Sequence, residues 1–305
     1  MSRTALVALA LLAACSPRVD LEIEARGIPW DKLSGRIAYS RWDHSISSDS
    51  RGLIFLIDVP ARKLTLIRNV ATTGDAPSFI PTGWAHDVAF NPSGSGVTFT
   101  VLNAVDRWEL RSLALDSGVE QVLFPDPDAH HLFPAWSPDG KLAYYSNGTS
   151  GVYLVVDGQP VLSYPNRSRI AWDGSRKFIV SVGDATSAGA LYLADPQAQA
   201  LTPVVTGTEI FDDPAIDPAH ERVAYVRRGT GASGAYDEEI WIANIDGTGQ
   251  TGATQGNADR NPAWSAHGDA VLFARFGAGL FLYDVATGSL TQVTQTHADA
   301  MAWAQ

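Results

Sequence analysis

The fold is decided by one stretch, residues 133–145, which reads Phe-Pro-Ala-Trp-Ser-Pro-Asp-Gly-Lys-Leu-Ala-Tyr-Tyr. Its two ends are short runs of apolar and aromatic residues, which is the pattern of β-strands. Its centre is a Ser-Pro-Asp-Gly sequence, in which proline and glycine pre-set the backbone of a tight turn. The stretch therefore predicts two antiparallel strands joined by a short connection.

The same pattern recurs along the chain, and its copies align on an alanine followed by a large apolar residue, usually aromatic. Successive copies lie 36 to 48 residues apart, and each is followed by a turn and by further strand-like runs. A period of about 40–50 residues with four strands in each unit is typical of propeller blades. The aligned pairs are Ala89-Phe90, Ala135-Trp136, Ala171-Trp172, Ala215-Ile216, Ala263-Trp264 and Ala302-Trp303.

The first and last parts of the chain carry complementary portions of one blade. The last copy of the pattern has a first strand only, whereas residues 35–40 match a second strand that no Ala-aromatic pair precedes. We therefore predict an all-β fold over residues 35–305: a six-bladed β-propeller of four-stranded antiparallel blades. Its first blade is closed by the C-terminal strand, which removes an exposed sheet edge.

These repeats resemble those of the TolB-like, WD-like family of six-bladed propellers. Residues 134–140 read Pro-Ala-Trp-Ser-Pro-Asp-Gly and residues 262–268 read Pro-Ala-Trp-Ser-Ala-His-Gly, and these two copies carry the resemblance most clearly. The resemblance covers about residues 35–305. It implies the propeller fold but leaves the function open, because many activities are built on this fold.

The first residues predict export. A single positive charge, Arg3, precedes an apolar run over residues 4–14, which is too short to span a bilayer and is typical of a secretory signal. The run ends in Leu12-Ala13-Ala14-Cys15, which resembles the bacterial lipobox. That resemblance implies cleavage after residue 14 and a lipid on Cys15. The alternative is an ordinary signal peptide that contains a cysteine.

The expected organisation follows from this N-terminus. Residues 1–14 are a lipoprotein-type signal peptide, residues 15–34 are the lipidated Cys15 with a tether, and residues 35–305 are the propeller. Because Ser16 rather than aspartate follows Cys15, the resemblance favours the outer membrane. We expect a bacterial cell-envelope protein on the periplasmic side, bound to the membrane through its lipid only.

The composition of the chain limits the classes of partner that it can bind. The formal net charge is −11, which excludes a nucleic-acid binder with a basic face. Cys15 is the only cysteine, so no intrachain disulfide can form. We expect a monomer whose partner is an envelope protein or peptide.

The candidate site lies at one mouth of the central channel. Long connections gather on one face of the predicted ring, over residues 41–51, 70–85, 125–131, 181–189 and 227–238, and long loops in compact domains are usually functional or disordered. The polar residues just before each Ala-aromatic pair reach the same end of the first strands. The candidate ligand- or partner-binding residues are His86, Asp87, His131, Arg169, Asp212, Asp213, Arg260, Asn261 and Asp299.

Two interpretations of this ring stay open. It is a site for a charged small ligand, a peptide tail or a cation, or it is a solvated rim whose charges pair with each other. We expect no cofactor and no metal, calcium being the one ion that such carboxylates would suit. Four further residues in one connection, Asp126, Asp128, His130 and His131, have the side chains of metal ligands but not the spacing of a rigid element.

Two classes of function remain. The favoured one is a non-enzymatic envelope propeller that binds a protein or peptide, or serves as a scaffold, through its loop-rich face and channel mouth. The alternative is an enzyme, a lyase or hydrolase acting on a sugar acid or peptide, although no Gly-x-Ser-x-Gly motif is present. Its candidate residues are His86, His131, Arg169, Asp213 and Arg260.

Overall fold

The structure is a computed structural model that describes residues 19–43, 51–72, 83–149, 151–163, 169–172, 177–182, 189–230 and 236–304. Six four-stranded antiparallel sheets form a closed propeller ring, which confirms the predicted fold class. The predicted signal peptide and Cys15 lie outside the described residues. No described helix is long and apolar enough to cross a membrane.

The strands are numbered in chain order. Blade 1 contains β1 (Arg36–Asp43), β2 (Arg51–Asp58) and β3 (Lys63–Ala71). Blade 2 contains β4 (Ala85–Phe90), β5 (Gly96–Leu102), β6 (Trp108–Ala114) and β7 (Glu120–Leu123). Blade 3 contains β8 (Ala129–Trp136), β9 (Leu142–Gly148), β10 (Gly151–Val156) and β11 (Gln159–Ser163).

The second half of the ring repeats this arrangement. Blade 4 contains β12 (Ile170–Trp172), β13 (Phe178–Val182), β14 (Ala190–Asp195) and β15 (Ala200–Thr206). Blade 5 contains β16 (Ile210–Ile216), β17 (Arg222–Thr230), β18 (Tyr236–Asn244) and β19 (Thr251–Gly252). Blade 6 contains β20 (Asp259–Trp264), β21 (Ala270–Arg275), β22 (Gly279–Asp284) and β23 (Leu290–Gln292), and β24 (Ala300–Ala304) follows it.

The C-terminal strand closes the first blade, as the sequence predicted. β24 pairs antiparallel with β1 over five residue pairs, from Arg36 with Ala304 to Ser40 with Ala300. Met301 is buried in the core of this blade. The indole Nε1 of Trp303 donates a hydrogen bond to the carbonyl oxygen of Ser34 at 2.7 Å. β24 is therefore held to blade 1 by backbone pairing and by the side chains of Met301 and Trp303.

The repeated tryptophans join neighbouring blades. Trp172 in blade 4 donates from Nε1 to the carbonyl oxygen of Ala135 in blade 3, at 2.9 Å. Trp264 in blade 6 donates in the same way to Ala215 in blade 5, at 3.0 Å. An indole packed between two blades contributes apolar contact area and needs a partner for its N–H group. At these two seams the alanine of the neighbouring copy therefore belongs to the interface, because its carbonyl oxygen is the acceptor, whereas Trp136 donates to the Thr98 hydroxyl at 3.0 Å.

The two ends of the ring differ. Connections between second and third strands, and between blades, lie at one end, which we call the loop end. The tight turns between first and second strands and between third and fourth strands lie at the opposite end, the turn end. Two expected loops are shorter than the sequence suggested, because β8 begins at Ala129 and because β17 and β18 stay paired from Arg227 with Glu239 to Thr230 with Tyr236. The middles of the others, residues 44–50, 73–82 and 183–188, lie outside the described residues.

The segment before β1 packs along the seam between blades 6 and 1. We call residues 19–34 the N-terminal strap. It contains α1 (Leu21–Ala25), capped by the side chain of Asp20, and a short 3-10 helix (Trp30–Lys32). Ile28 and Leu33 are buried against the core that the two blades share. We expected residues 15–34 to form a tether, and from residue 19 onward they contact the propeller.

Polar contacts fix the direction of the strap. At the loop end, Glu24 pairs with Arg41 at 2.7 Å and accepts a hydrogen bond from the Thr296 hydroxyl at 2.6 Å. At the turn end, Lys32 Nζ donates to the Thr291 hydroxyl at 2.9 Å. The strap therefore enters at the loop end, follows the seam to the turn end, and turns back there into β1.

Candidate functional site at the channel mouth

The same irregularity occurs in four of the inner strands. In β4, β8, β16 and β20 the pairing register with the next strand shifts just before the alanine of the repeat. The residue three positions before the large apolar residue has a positive φ at each site. These are Asp87 (53°), Phe133 (56°), Asp213 (48°) and Asn261 (54°). Bulges of this kind re-aim a side chain, and Asp and Asn are among the residues that tolerate a left-handed backbone.

Proline follows in three of these bulges, at Pro134, Pro214 and Pro262. The inner strand is the free edge of each blade, so a residue without an N–H group is accepted there. Bulges, prolines and inward-pointing charges are also the devices that keep a sheet edge from pairing with another chain. The repeated bulge thus protects the edge and directs a side chain to the channel.

The re-aimed side chains surround a cavity of about 120 Å³ at the loop end of the channel. Four of the nine candidate site residues line it. They are Asp87, Arg169, Asp213 and Asn261. Phe133 and Met301 complete the ring, so that five blades and the closing strand of blade 1 contribute to the cavity.

Arg169 ties the ring together. Its Nη2 lies 2.6 Å from Oδ1 of Asp87, and its Nε lies 2.5 Å from Oδ1 of Asp213. Its guanidinium also lies over the ring of Phe133, at 5.4 Å from the centroid. Burial acts to lower the pKa of Arg169, but the charges of Asp213 and Asp87 outweigh it and raise the pKa above its ordinary value. One cation therefore connects blades 2, 3, 4 and 5.

Asn261 extends this network to blades 6 and 1. Its backbone N–H donates to Oδ2 of Asp213 at 3.3 Å, and its Nδ2 donates to the carbonyl oxygen of Asp299 at 2.9 Å. Asn261 is 7% exposed, and within the described part of the chain its Oδ1 accepts no hydrogen bond. A buried acceptor without a partner costs about 1–3 kcal/mol. Oδ1 therefore marks the point at which a donor from a ligand would be stabilised.

A second group of charges lies beside the cavity in blades 5 and 6. Asp212 approaches Arg228 at 3.4 Å, and Arg228 pairs with Glu238 at 3.0 Å. Arg260 also pairs with Glu238. Asp212 and Arg260 therefore belong to the rim of the mouth and do not line the cavity.

Aromatic residues border the other side of the mouth. His86 contacts Asp87 through Nδ1 at 2.7 Å and packs edge-on against Trp84, with ring centroids 5.0 Å apart. Asp299 accepts hydrogen bonds from the backbone N–H of Trp42 at 2.6 Å and from Nε1 of Trp84 at 3.2 Å. His86 and Asp299 thus hold the rim and are linked to the cavity through Asp87 and Asn261.

His131 lies away from the mouth. It is 5% exposed, it packs against Tyr144 with ring centroids 4.9 Å apart, and it does not line the cavity. Burial lowers its pKa. His130 and His131 are residues of β8, so the connection that holds Asp126 and Asp128 ends before them. Within the described ranges, no three His, Cys, Asp or Glu side chains are grouped so as to hold a metal ion.

The charges of the mouth pair extensively, as the solvated-rim interpretation expects, but among the residues that the structure describes they do not balance. Five carboxylates, those of Asp87, Asp212, Asp213, Glu238 and Asp299, face three guanidinium groups, those of Arg169, Arg228 and Arg260. The mouth therefore favours a ligand group that is positively charged or donates hydrogen bonds. For the enzyme alternative, His86, Arg169 and Asp213 remain in one network with Asp87, whereas His131 and Arg260 do not line the cavity.

Asp212, at the mouth, makes the stability of the fold depend on pH. Burial, and secondly the charge of Asp213, raises the pKa of Asp212 from 3.8 to about 6. Between about pH 4 and 6 the folded state then binds more protons than the unfolded state, so this group stabilises the fold at low pH and loses that contribution as the pH rises. We expect Asp212→Asn to raise the melting temperature at pH 7.5 by on the order of 3 °C, and to leave it unchanged at pH 4.

Thermal unfolding followed by circular dichroism at the two pH values checks this. Asparagine keeps the acceptor for the backbone N–H of Asp213, which lies 2.8 Å from Asp212 Oδ1. Asp116, an exposed residue on the turn end, provides the matched control, since Asp116→Asn should give no pH-dependent gain. A gain from Asp212→Asn that is equal at both pH values would contradict the proposed cause.

The closed ring of six four-stranded sheets defines a six-bladed β-propeller. Comparison with solved structures shows which propellers it is similar to. The chain is similar to TolB from Acinetobacter baumannii, with a TM-score of 0.72 and 16% identity over 89% of this chain and 67% of that one. It is also similar to a putative TolB from Agrobacterium tumefaciens, with a TM-score of 0.61 and 15% identity over 87% of this chain and 91% of that one. The fold of the chain is therefore a six-bladed β-propeller similar to those of the two TolB structures.

The fold occurs in other settings as well. A chain of a nidogen/laminin complex matches with a TM-score of 0.63 and 10% identity, over 89% of this chain and 99% of that one. No protein-family model and no curated protein matches the sequence. At these identities the likeness is one of fold.

Proposed function

We propose that this chain is a lipid-anchored cell-envelope protein that binds a protein or peptide partner at its loop end and channel mouth. The observation that carries the proposal is the convergence of Asp87, Arg169, Asp213 and Asn261, from four different blades, on one cavity with an open acceptor. Bulges in three of the strands concerned, β4, β16 and β20, turn these side chains towards the channel. The two TolB structures share this fold, and the N-terminal run that ends in Leu12-Ala13-Ala14-Cys15 supports an envelope setting.

The size of the cavity favours a large partner over a whole small molecule. Sites for drug-sized ligands usually enclose about 300–1,000 Å³, and this cavity encloses about 120 Å³. One projecting group of a larger partner fits such a volume. A side-chain amide, hydroxyl or ammonium group would donate to Asn261 Oδ1 and would face the excess of carboxylates around it.

Exposed apolar side chains at the loop end extend the contact area. Phe276, between β21 and β22, is 68% exposed and packs edge-on against His297, which in turn contacts Asp299 at the mouth. Aromatic side chains, including phenylalanine, are enriched at protein interfaces relative to the rest of the surface. Phe276 is therefore a suitable position from which to capture the partner.

The capture experiment places a photo-reactive benzoylphenylalanine at one of two positions in blade 6. Position 276 lies at the loop end, and position 290, where Leu290 is 45% exposed, lies at the turn end. We expect a discrete cross-linked partner from position 276 in intact envelopes and none from position 290. The adduct should disappear when Asn261→Leu is added, with the melting temperature verified. Equal adducts at both positions, or adducts that ignore Asn261→Leu, would reject the proposed site.

The lipid anchor needs a separate test. Metabolic labelling with a radioactive fatty acid, followed by mass spectrometry of the mature N-terminus, should show a lipid on Cys15 and cleavage after residue 14. Cys15→Ser should remove the label and release the protein from the membrane fraction. We place the mature protein on the periplasmic side of the outer membrane, and fractionation on a sucrose gradient checks that assignment.

A further inference from the structure

We propose that the loop end of the ring, with its channel mouth, is held on the membrane side of the molecule, so that the mouth meets partner segments at the bilayer surface. This rests on the lipidation of Cys15 proposed above. The structural basis is the N-terminal strap, which decides where on the propeller the anchor is attached.

The strap reaches the propeller at the loop end. Glu24 is fixed there by Arg41 and by Thr296, and the side chains of Glu24 and Arg41 are only 11% and 10% exposed. Asp20 caps the helix that contains Glu24, so its position lies within about 6 Å of Glu24 along the helix axis, at 1.5 Å per residue. The chain before Asp20 therefore starts from the loop half of the seam.

Only three residues separate Cys15 from Val19. A fully extended chain spans at most about 3.3–3.6 Å per residue, so the two Cα atoms are at most about 14 Å apart. β1 has eight residues, and at about 3.3 Å per residue the ring is about 25 Å thick from the loop end to the turn end. We call residues 15–19 the link. Its greatest length, about 14 Å, is smaller than the thickness of the ring.

This comparison opposes one orientation. The strap leaves the ring in its loop half, near the level of Arg41, which is the sixth of the eight residues of β1 and lies about 17 Å from the turn end. To lay the turn end on the bilayer, the link would have to be stretched along the ring to its full length of about 14 Å, whereas the loop end reaches the bilayer with the link relaxed. Peeling the strap away would lengthen the link, but that would expose Ile28 and Leu33 and break the Glu24–Arg41 pair. The docked strap therefore keeps the loop end nearer the membrane than the turn end.

The partner follows from this placement. A mouth held near the bilayer meets proteins that are themselves membrane-anchored, or segments that emerge from the membrane, before it meets freely diffusing ones. Its excess of carboxylates and the open acceptor of Asn261 suit a segment that presents amide or ammonium groups. The other end of the ring is left to face away from the membrane.

Two exposed valines of blade 2 test the orientation. Val105, 71% exposed, lies between β5 and β6 at the loop end, and Val119, 58% exposed, lies between β6 and β7 at the turn end. Each is replaced by cysteine in the lipidated protein and labelled with a fluorophore. The lipid on Cys15 blocks that thiol from the label. The proteins are then reconstituted into phosphatidylethanolamine/phosphatidylglycerol vesicles that contain a spin-labelled headgroup lipid.

We expect quenching by the spin label to be at least threefold stronger at position 105 than at position 119. Insertion of a flexible linker of 25 residues between Arg18 and Val19 should reduce this difference to near zero. Equal quenching without the linker, or a difference that survives the linker, overturns the proposal. A protein that fails to float with the vesicles instead overturns the lipid anchor, and with it the premise, so the two failures are distinguishable.

Discussion

Replacing Arg169 by methionine is expected to lower the free energy of unfolding by about 3–5 kcal/mol. The variant leaves Asp87 and Asp213, which are 3% and 5% exposed, without the guanidinium that pairs with both. Removing one partner of a buried ion pair is costly because the remaining charge stays out of water. Here two carboxylates lose the same cation at once. Urea unfolding followed by tryptophan fluorescence gives the measurement.

Two further variants separate this cause from a loss of packing. The triple variant that adds Asp87→Asn and Asp213→Asn to Arg169→Met should restore most of the lost stability, because both buried charges are then gone. Arg260→Met is the matched control. Its side chain is 47% exposed, and its partner Glu238 keeps Arg228, so a loss below about 1 kcal/mol is expected. Equal losses for Arg169→Met and Arg260→Met would refute the role given to Arg169.

Removing residues 300–305 is expected to abolish cooperative unfolding. The truncation strips β1 of its inner partner over five residue pairs and removes Met301 from the core. β1 then becomes an unpaired strand edge, which is a template for aggregation. We expect soluble aggregates on size-exclusion chromatography and a broad transition in calorimetry. A sharp transition within a few degrees of the intact protein would show that the ring does not depend on this strand.

Two tryptophan variants test the contribution of β24 to stability with a smaller change than truncation. Trp136→Ala and Trp303→Ala each remove an indole from the end of an inner strand, and both side chains are half-buried. A tight turn joins Trp136 to the next strand of its own blade, whereas β24 is held to β1 by non-covalent contacts alone. We expect Trp303→Ala to be the more destabilising of the two, by about 1–2 kcal/mol.

The sequence predicted the architecture because every blade repeats the same local chemistry. The alanine, the large apolar residue and the turn after them are needed in each copy for the same reason, so even degenerate copies stay recognisable by spacing. The closing strand was predictable from the incomplete first and last copies. The ring at the mouth was predictable in part, because one offset from the aromatic residue locates Asp87, Arg169, Asp213 and Asn261 together.

What the sequence could not show depends on non-local pairing. Side chains alternate along a regular strand, so His131 and Phe133 should share a face. The left-handed backbone at Phe133 breaks this alternation, and His131 packs on Tyr144 instead. Arg228 and Glu238 were missed because the polar ends of β17 and β18 resemble a loop until their pairing is known. The sequence did contain one signal for the bulges. Asp or Asn, which tolerate a left-handed backbone, stands at three of them.

The strap was missed for a similar reason. Apolar residues such as Leu21, Ile28 and Leu33 were visible in the supposed tether, but their spacing fits neither a helix nor a strand throughout. Their partners belong to blade 1 and also to blade 6, whose residues are more than 200 positions away in the chain. Burial of this kind follows from tertiary contacts, which no local pattern reports.

The closure of the first blade also determines when the molecule can finish folding. Ser40 in β1 contacts Ala300 in β24 across 260 positions of sequence. During synthesis from the N-terminus, blades 2 to 6 can form as their residues emerge, since their strands are consecutive. Blade 1 must wait for the last segment, with its edge and the strap seam uncovered. Contacts between such distant residues slow folding. The ring therefore stays open until the last residues of the chain are available, and until then its first strands are exposed to proteases and to mispairing.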